Sequence, residues 1–257
     1  MNIQKRIRFV FLHVEKIGIL ATLSYFLQRI ILSKNQLIGL NLKGLPHKVF
    51  LRNKTYDVHI FYQIFIQEDL FLNYEESIST ILDCGANIGL STLYYQRRFN
   101  NPTIIAIEPE NENYKLLVKN TQKYLNISAL KSGVFDTDCD LNVIDIGEGE
   151  ASYRLMPKPV EGKVIQTILC RSINSLMKEF RISKIDILKM DIEGCEKECL
   201  LSPDIRWLNK TKYFLLEIHE RIHPGLTKKI LDIIPISSIT SKNGEYTVIQ
   251  NKIPDLL

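Results

Sequence analysis

No stretch of this 257-residue chain is apolar for long enough to cross a membrane. The longest uncharged run of its N-terminal segment, Ile17 to Gln28, falls well short of the ~20 residues a spanning helix needs. A CxxC pair is missing, and the five cysteines (84, 139, 170, 195, 199) are odd in number with no framework spacing. That excludes a disulfide scaffold and points to reduced core thiols in a cytoplasmic protein. Cys195 and Cys199 lie four apart, but no histidine pair stands near them to complete a metal centre, so no metal is expected there; a divalent ion on Asp191, Glu193 and His219 is the alternative to a metal-free protein. The phosphate-cradling G-x-x-x-x-G-K-[ST] is absent, as is the dinucleotide fingerprint G-x-G-x-x-G. A net charge of +4 is too small to argue for a nucleic-acid partner. There are no repeats and no low-complexity segment. What remains, 45% hydrophobic and 24% charged residues, is the composition of an ordinary globular protein.

The chain divides into three parts. Residues 1–47 begin basic and turn apolar, but Glu15 and Lys16 interrupt the apolar part and no small-residue cleavage site follows. An amphipathic helix or helix pair is expected there. It either packs on the main domain or touches the inner membrane surface peripherally, with Lys5, Arg6 and Arg8 on lipid phosphates. In residues 48–78, Val49 and Leu51, then Val58 and Ile60, alternate around the polar stretch Asn53–Asp57. This suits a β-hairpin followed by a short helix through Phe65. From residue 79 to 257, strands such as "TILDCG", "TIIAIEP" and "IDILKMD" alternate with amphipathic helices, the pattern of parallel βαβ units in a doubly wound α/β sheet. Residues 138–170 interrupt it as a β-insertion, with Gly147, Gly149, Pro157 and Pro159 at turns.

In such a sheet, ligands sit beyond the carboxyl ends of the strands. The first strand ends in D-x-G-x-N-x-G, made of Asp83, Gly85, Asn87 and Gly89. Glycines let the backbone turn and approach a ligand closely, and the next helix offers its free N–H groups to the same place. Asn87 and Leu90 stand where a pyrophosphate loop needs glycines, so a phosphate cradle fits badly. An acid at the head of the loop suits a cationic ligand better, since Asp83 can accept hydrogen bonds from an ammonium. One βαβ unit on, Glu108 ends the second strand with paired acceptors for a ribose diol.

These residues look like the class I S-adenosylmethionine-dependent methyltransferases. The segments "DCGANIG", "IEPENENYKLLVKN", "DILKMDIEGCE" and "LLEIH" together resemble the FkbM-type methyltransferase family over residues 48–220. The resemblance implies a Rossmann-like, mostly parallel seven-stranded sheet with S-adenosylmethionine as cofactor. It implies that Asp83, Gly85, Asn87 and Gly89 line the methionine and ribose side and that Glu108 holds the ribose hydroxyls. Adenine would lie around residues 133–136, with Val134, Phe135 and Asp136 as alternative contacts.

Methyl transfer to a hydroxyl requires alignment and removal of a proton. Asp191 and Glu193 emerge at the end of the strand Ile185–Met190, and Gly194 and Glu196 open the next helix. Lys189 lies inside that apolar strand and is costly to bury unless paired; Asp83 and Glu217 are candidate partners. Asp191 is read as base or acceptor-positioning group, with Lys189 orienting it. His219, on one strand face with Glu217, can take a proton near neutral pH or serve only in structure. The expected activity is O-methylation of a hydroxyl on a sugar, glycan or small-molecule natural product. A non-catalytic methyltransferase-like scaffold and a nicotinamide-dependent oxidoreductase are the alternatives.

Overall fold

Glycine and buried aromatic side chains decide how the chain enters its fold. The computed structural model describes residues 3–74, 77–147, 153–156, 162–234 and 238–251. Helix α1 (Ile3–Ile17) stops at Gly18, whose φ of 92° few side chains tolerate, and α2 (Ile19–Ile31) starts at once. The pair packs inward through Ile17, Ala21 and Tyr25. Strand β1 (Leu37–Leu40) pairs antiparallel with β2 (Val49–Arg52), so the hairpin partner of β2 lies upstream.

The strand expected around Val58 and Ile60 is a helix instead, α3 (Asp57–Phe61), which runs into a π-helical turn over Tyr62–Gln67. Buried positions 57, 61, 64 and 65 follow a helical period, which the alternation of Val58 and Ile60 concealed. Buried Asp57 also ties the first turn back to β2, accepting from the Arg52 backbone N–H at 2.9 Å and pairing with its guanidinium at 2.8 Å.

Next come β3 (Thr80–Cys84), α4 (Leu90–Arg98), β4 (Thr103–Ile107), α5 (Asn111–Thr121) and β5 (Ile127–Leu130). A second sheet follows from β6 (Gly133–Val134), β7 (Cys139–Asp145), β8 (Tyr153–Met156) and β9 (Lys163–Arg171), in the order β6-β9-β7-β8. This is the β-insertion; Gly149, Pro157 and Pro159, read as turns, lie outside the described residues. The chain returns to the main sheet with α6 (Ile173–Glu179), β10 (Ile185–Met190), α7 (Glu196–Leu200), β11 (Thr211–Glu217), α8 (Leu226–Ile233), β12 (Ile239–Asn243) and β13 (Tyr246–Gln250).

The main sheet has seven strands in the order β12-β13-β11-β10-β3-β4-β5. From β5 to β11 every junction is parallel. The expectation of a mostly parallel sheet needs correcting at the other edge, where β13 runs antiparallel to both neighbours and the sheet is mixed. Only Gly244 and Glu245 separate β12 from β13, and so short a connection can make only a hairpin. One apolar cluster joins Ile17 and Tyr25 of the N-terminal helices, Phe61 and Phe65, and Ile81 and Tyr94 of the main unit. Tyr25 stacks on Phe61 at 5.5 Å and Phe61 on Phe65 at 5.3 Å, carrying that cluster inward.

Candidate active site

The carboxyl ends of β3, β4, β10 and β11 open on one cleft with about 1120 Å³ of free space, part of it open to solvent. Its floor is the β3–α4 loop. Gly85 (φ 76°) and Asn87 (φ 50°) are left-handed, and the Gly85 and Ala86 amides both donate to the Ile107 carbonyl. A side chain at Gly85 would overlap the Asp191 carbonyl oxygen, because the ends of β3 and β10 press together there. Gly85, Ala86 and Asn87 line the cleft. Gly89 does not: a Cβ there would come within 2.8 Å of Leu117, so this glycine serves the packing of α4 on α5.

Asp83 also stands elsewhere than expected. It is fully buried behind the cleft wall, and one carboxylate oxygen accepts from the Ser91 and Thr92 hydroxyls, each at 2.6 Å. Its other oxygen lies 3.6 Å from Lys189 Nζ. Asp83 thus fixes the start of α4 and the position of Lys189. Asp136 lies outside the cleft too, with Thr137 as its hydrogen-bond partner. Ser132 and Val134 line the wall in that region instead. They do so because the chain turns into the second sheet at Gly133, carrying Asp136 away.

Glu108 is where the sequence places it, at the mouth of β4 and lining the cleft. Its carboxylate accepts from the Asn87 and Glu110 amides, both at 2.9 Å, and so holds the floor loop and the start of α5 in register. Each carboxylate oxygen has two acceptor positions, which leaves capacity for a ligand diol. Burial pushes Glu108 up to about 7, against the pull of those two amides.

Across the cleft, Lys189 is 3% exposed. Its ammonium donates to the Gly85 carbonyl at 2.6 Å and sits 3.5 Å from Asp191 Oδ2. One buried cation therefore joins both strand ends, the floor loop and the acid at the cleft mouth. Burial works against its charge, but Asp191 and Asp83 outweigh burial and hold Lys189 above the usual lysine value. Asp191, Glu193 and Glu217 line the cleft beside it. His219 stands just behind them, with Nε2 3.4 Å from Glu193 and 3.9 Å from Glu217.

Sequence reading missed what orients His219. Buried Glu196 accepts from its Nδ1 at 3.0 Å and also from the Ile192 amide at 3.1 Å, so Nε2 is turned toward the cleft acids. Glu196 reads in sequence as an acid suited to a helix dipole, and no local signal links it to a histidine 23 residues on. The outer lip was missed as well: Tyr56 and Gln63 from the N-terminal part, Tyr153 from β8, and Glu245 from the β12–β13 turn. Asp191, Glu217 and His219 each offer a ligand atom within 4.8 Å of the others, a set able to hold a divalent cation.

Burial, reinforced by Asp191, pushes Glu193 up to about 8 and Glu217 up to about 9. Burial pulls His219 down, but Glu196 and the nearby acids overcome it and lift the imidazole to about 9. All these groups bind protons more tightly folded than unfolded. Their stabilisation is therefore complete below pH about 4.5 for the acids and about 6.5 for His219, and is lost as pH rises through 7 to 9. The melting temperature of the ligand-free protein should fall between pH 6 and 9 at constant ionic strength, and the double substitution E193Q/E217Q should flatten that fall. A melting temperature that rises over this range would contradict the assignment.

The family described as Methyltransferase FkbM domain matches residues 83–246, from the last residues of β3 to the first of β13. "Methyltransferase 1" of Beauveria bassiana (strain ARSEF 2860) is 26% identical over 183 residues, covering 62% of this chain and 66% of that protein. "Methyltransferase sdnD" of Sordaria araneosa is 24% identical over 177 residues, covering 54% of this chain and 68% of that one. A solved FkbM methyltransferase from Methylobacillus flagellatus KT is 18% identical with a TM-score of 0.47, and covers 69% of this chain and 45% of its own. The chain thus spans about two thirds of these curated relatives and under half of the solved one. By the match over most of its length, this chain belongs to the FkbM-domain methyltransferase family.

Proposed function

We propose that the chain is an S-adenosylmethionine-dependent O-methyltransferase acting on a hydroxyl of a sugar, glycan or small natural product. The observation that carries this reading is the pairing of Glu108 with the acid and histidine group across one cleft. Glu108 offers diol acceptors at the nucleoside end, while Asp191, Glu193, Glu217 and His219 gather at the opposite wall.

The cleft residues suit the cofactor. Gly85 and Ala86 put no bulk on the floor, Glu108 can hold the ribose hydroxyls, and Ser132 and Val134 stand where the base would lie. The carboxyl groups can accept hydrogen bonds from the ammonium of the ligand. When bound, S-adenosylmethionine supplies an electrophilic methyl group for displacement by the acceptor oxygen. Every other step belongs to the protein. Asp191, held by Lys189 at 3.5 Å, accepts the hydrogen bond of the acceptor hydroxyl and aims its oxygen. It then takes the proton as the oxygen is methylated, and the neighbouring carboxylates and His219 pass the proton on. Lys189 already supplies a positive charge at Asp191, which keeps its carboxylate in place and weakens the case for a metal ion there.

The lip supports a hydroxyl-rich acceptor. Asp69, Glu193, Glu217 and Glu245 bring carboxyl groups that can hydrogen-bond sugar-like hydroxyls, with Tyr56 and Gln63 beside them. A thermal shift tests the reading. S-adenosylhomocysteine at 100 times its Kd should stabilise the protein by about 2.7 kcal/mol, several degrees in Tm, while NAD should have no effect. A response to NAD alone would support the oxidoreductase, and no response to either would support the scaffold.

A further inference from the structure

We propose that the α1–α2 hairpin docks the protein on a bilayer containing anionic lipid. Its outward apolar face would lie in the interface, with Lys5, Arg6 and Arg8 on the lipid phosphates. This inference rests on the N-terminal helices alone and does not depend on the methyl-transfer reading.

The first observation is the shape of the apolar surface. Ile19, Leu20, Leu23, Leu27, Ile30 and Ile31 are all exposed on α2, with Leu20 at 78% and Ile30 at 79%. At 3.6 residues per turn they fall within an arc of about 120°. Buried Ala21, Thr22 and Tyr25 take the opposite arc, against the body of the protein. Helix α1 adds Ile7 and Phe11, one turn apart and also exposed. Together the two helices hold nine of the nineteen large exposed apolar side chains among the described residues. Scattered exposed leucines need no explanation, but a continuous stripe of them marks a contact surface.

The second observation is charge. Residues 1–34 carry six Lys or Arg and one acid, Glu15, a net +5, whereas the whole chain is only +4. The remaining 223 residues are thus near neutral, and the positive charge of the molecule sits on this hairpin. Lys16 and Arg29 face inward, bonding Glu68 at 2.6 Å and the Asn53 side chain at 2.7 Å. These contacts fix the hairpin to the body and leave Lys5, Arg6 and Arg8 exposed beside Ile7 and Phe11.

Apolar stripe and basic flank together match an anionic interface. A second copy of the chain fits worse, because pairing through this face brings two +5 segments together. No helix among the described residues is long and apolar enough to span a bilayer, so the contact is with its surface.

The test is co-sedimentation of the full chain with sucrose-loaded vesicles. Phosphatidylcholine vesicles with about 30% phosphatidylglycerol are compared with phosphatidylcholine alone, at about 0.1 M and about 1 M salt, where the screening length falls from ~10 Å to ~3 Å. Partitioning should favour the anionic vesicles by about tenfold or more and should mostly disappear at high salt. Substituting K5E/R6E/R8E should weaken it by about 100-fold. L23E/L27E should also abolish binding without lowering Tm, since both side chains are exposed. Equal partitioning into both vesicles, or binding that survives L23E/L27E, would overturn the proposal. So would a dimer in solution that L23E/L27E dissociates, because it would assign the face to a second copy.

Discussion

Replacing Lys189 by Met should destabilise the protein by about 3–5 kcal/mol, because removing one partner strands a buried charge. Asp83 is fully buried, and its Oδ1 has no hydrogen-bond partner among the described residues; the lysine charge 3.6 Å away is its compensation. The Gly85 carbonyl would lose a 2.6 Å bond at the same time. In a domain of this size, that loss should lower the melting temperature by about 10 °C or more, measurable by calorimetry. The double substitution D83N/K189M separates charge from packing. An asparagine oxygen can still accept from Ser91 and Thr92, so the double variant should recover most of the stability. If the two losses simply add, the charge pairing is not what matters there.

Asp191→Asn should give the largest loss of turnover, about 10²–10⁴-fold, the usual span of general acid–base catalysis. The substitution keeps the size of the side chain and its place beside Lys189 but cannot accept a proton. Affinity for S-adenosylhomocysteine, measured by calorimetric titration, should stay within about threefold of the wild type, since the diol acceptor Glu108 lies across the cleft. Near-normal turnover in this variant would remove Asp191 from the role of base. Loss of turnover together with loss of cofactor affinity would make it a structural residue of the floor.

How much of this could be read beforehand differs from residue to residue. Lys189 and Glu108 were legible because each is an anomaly at the end or inside of an apolar strand, and physical chemistry demands a partner or ligand for such a group. The Gly85 turn was legible for a similar reason, since an otherwise apolar strand broke there. Asp83 misled, because an acid at the head of a loop looks the same whether it faces a ligand or its own helix. The deciding partners, Ser91 and Thr92, were in view eight and nine residues on. Glu196 and His219 meet only because α7 and β11 are neighbours in the fold. The helix over Asp57–Phe61 was hidden because two apolar residues two apart fit a strand as well as a buried helical turn.

The cleft is assembled from two kinds of material. Its floor comes from successive βαβ units, where moving one strand end displaces its neighbours: beyond the backbone pairing of β3 with β10, the Lys189 side chain ties their ends together. Its rim is borrowed from three remote places, the segment around Tyr56 and Gln63, the inserted sheet at Tyr153, and the turn at Glu245. No one of these rim pieces is needed to close the main sheet's parallel core. They can lengthen, shorten or be exchanged while the floor keeps its form, so one catalytic framework can come to serve many different acceptors.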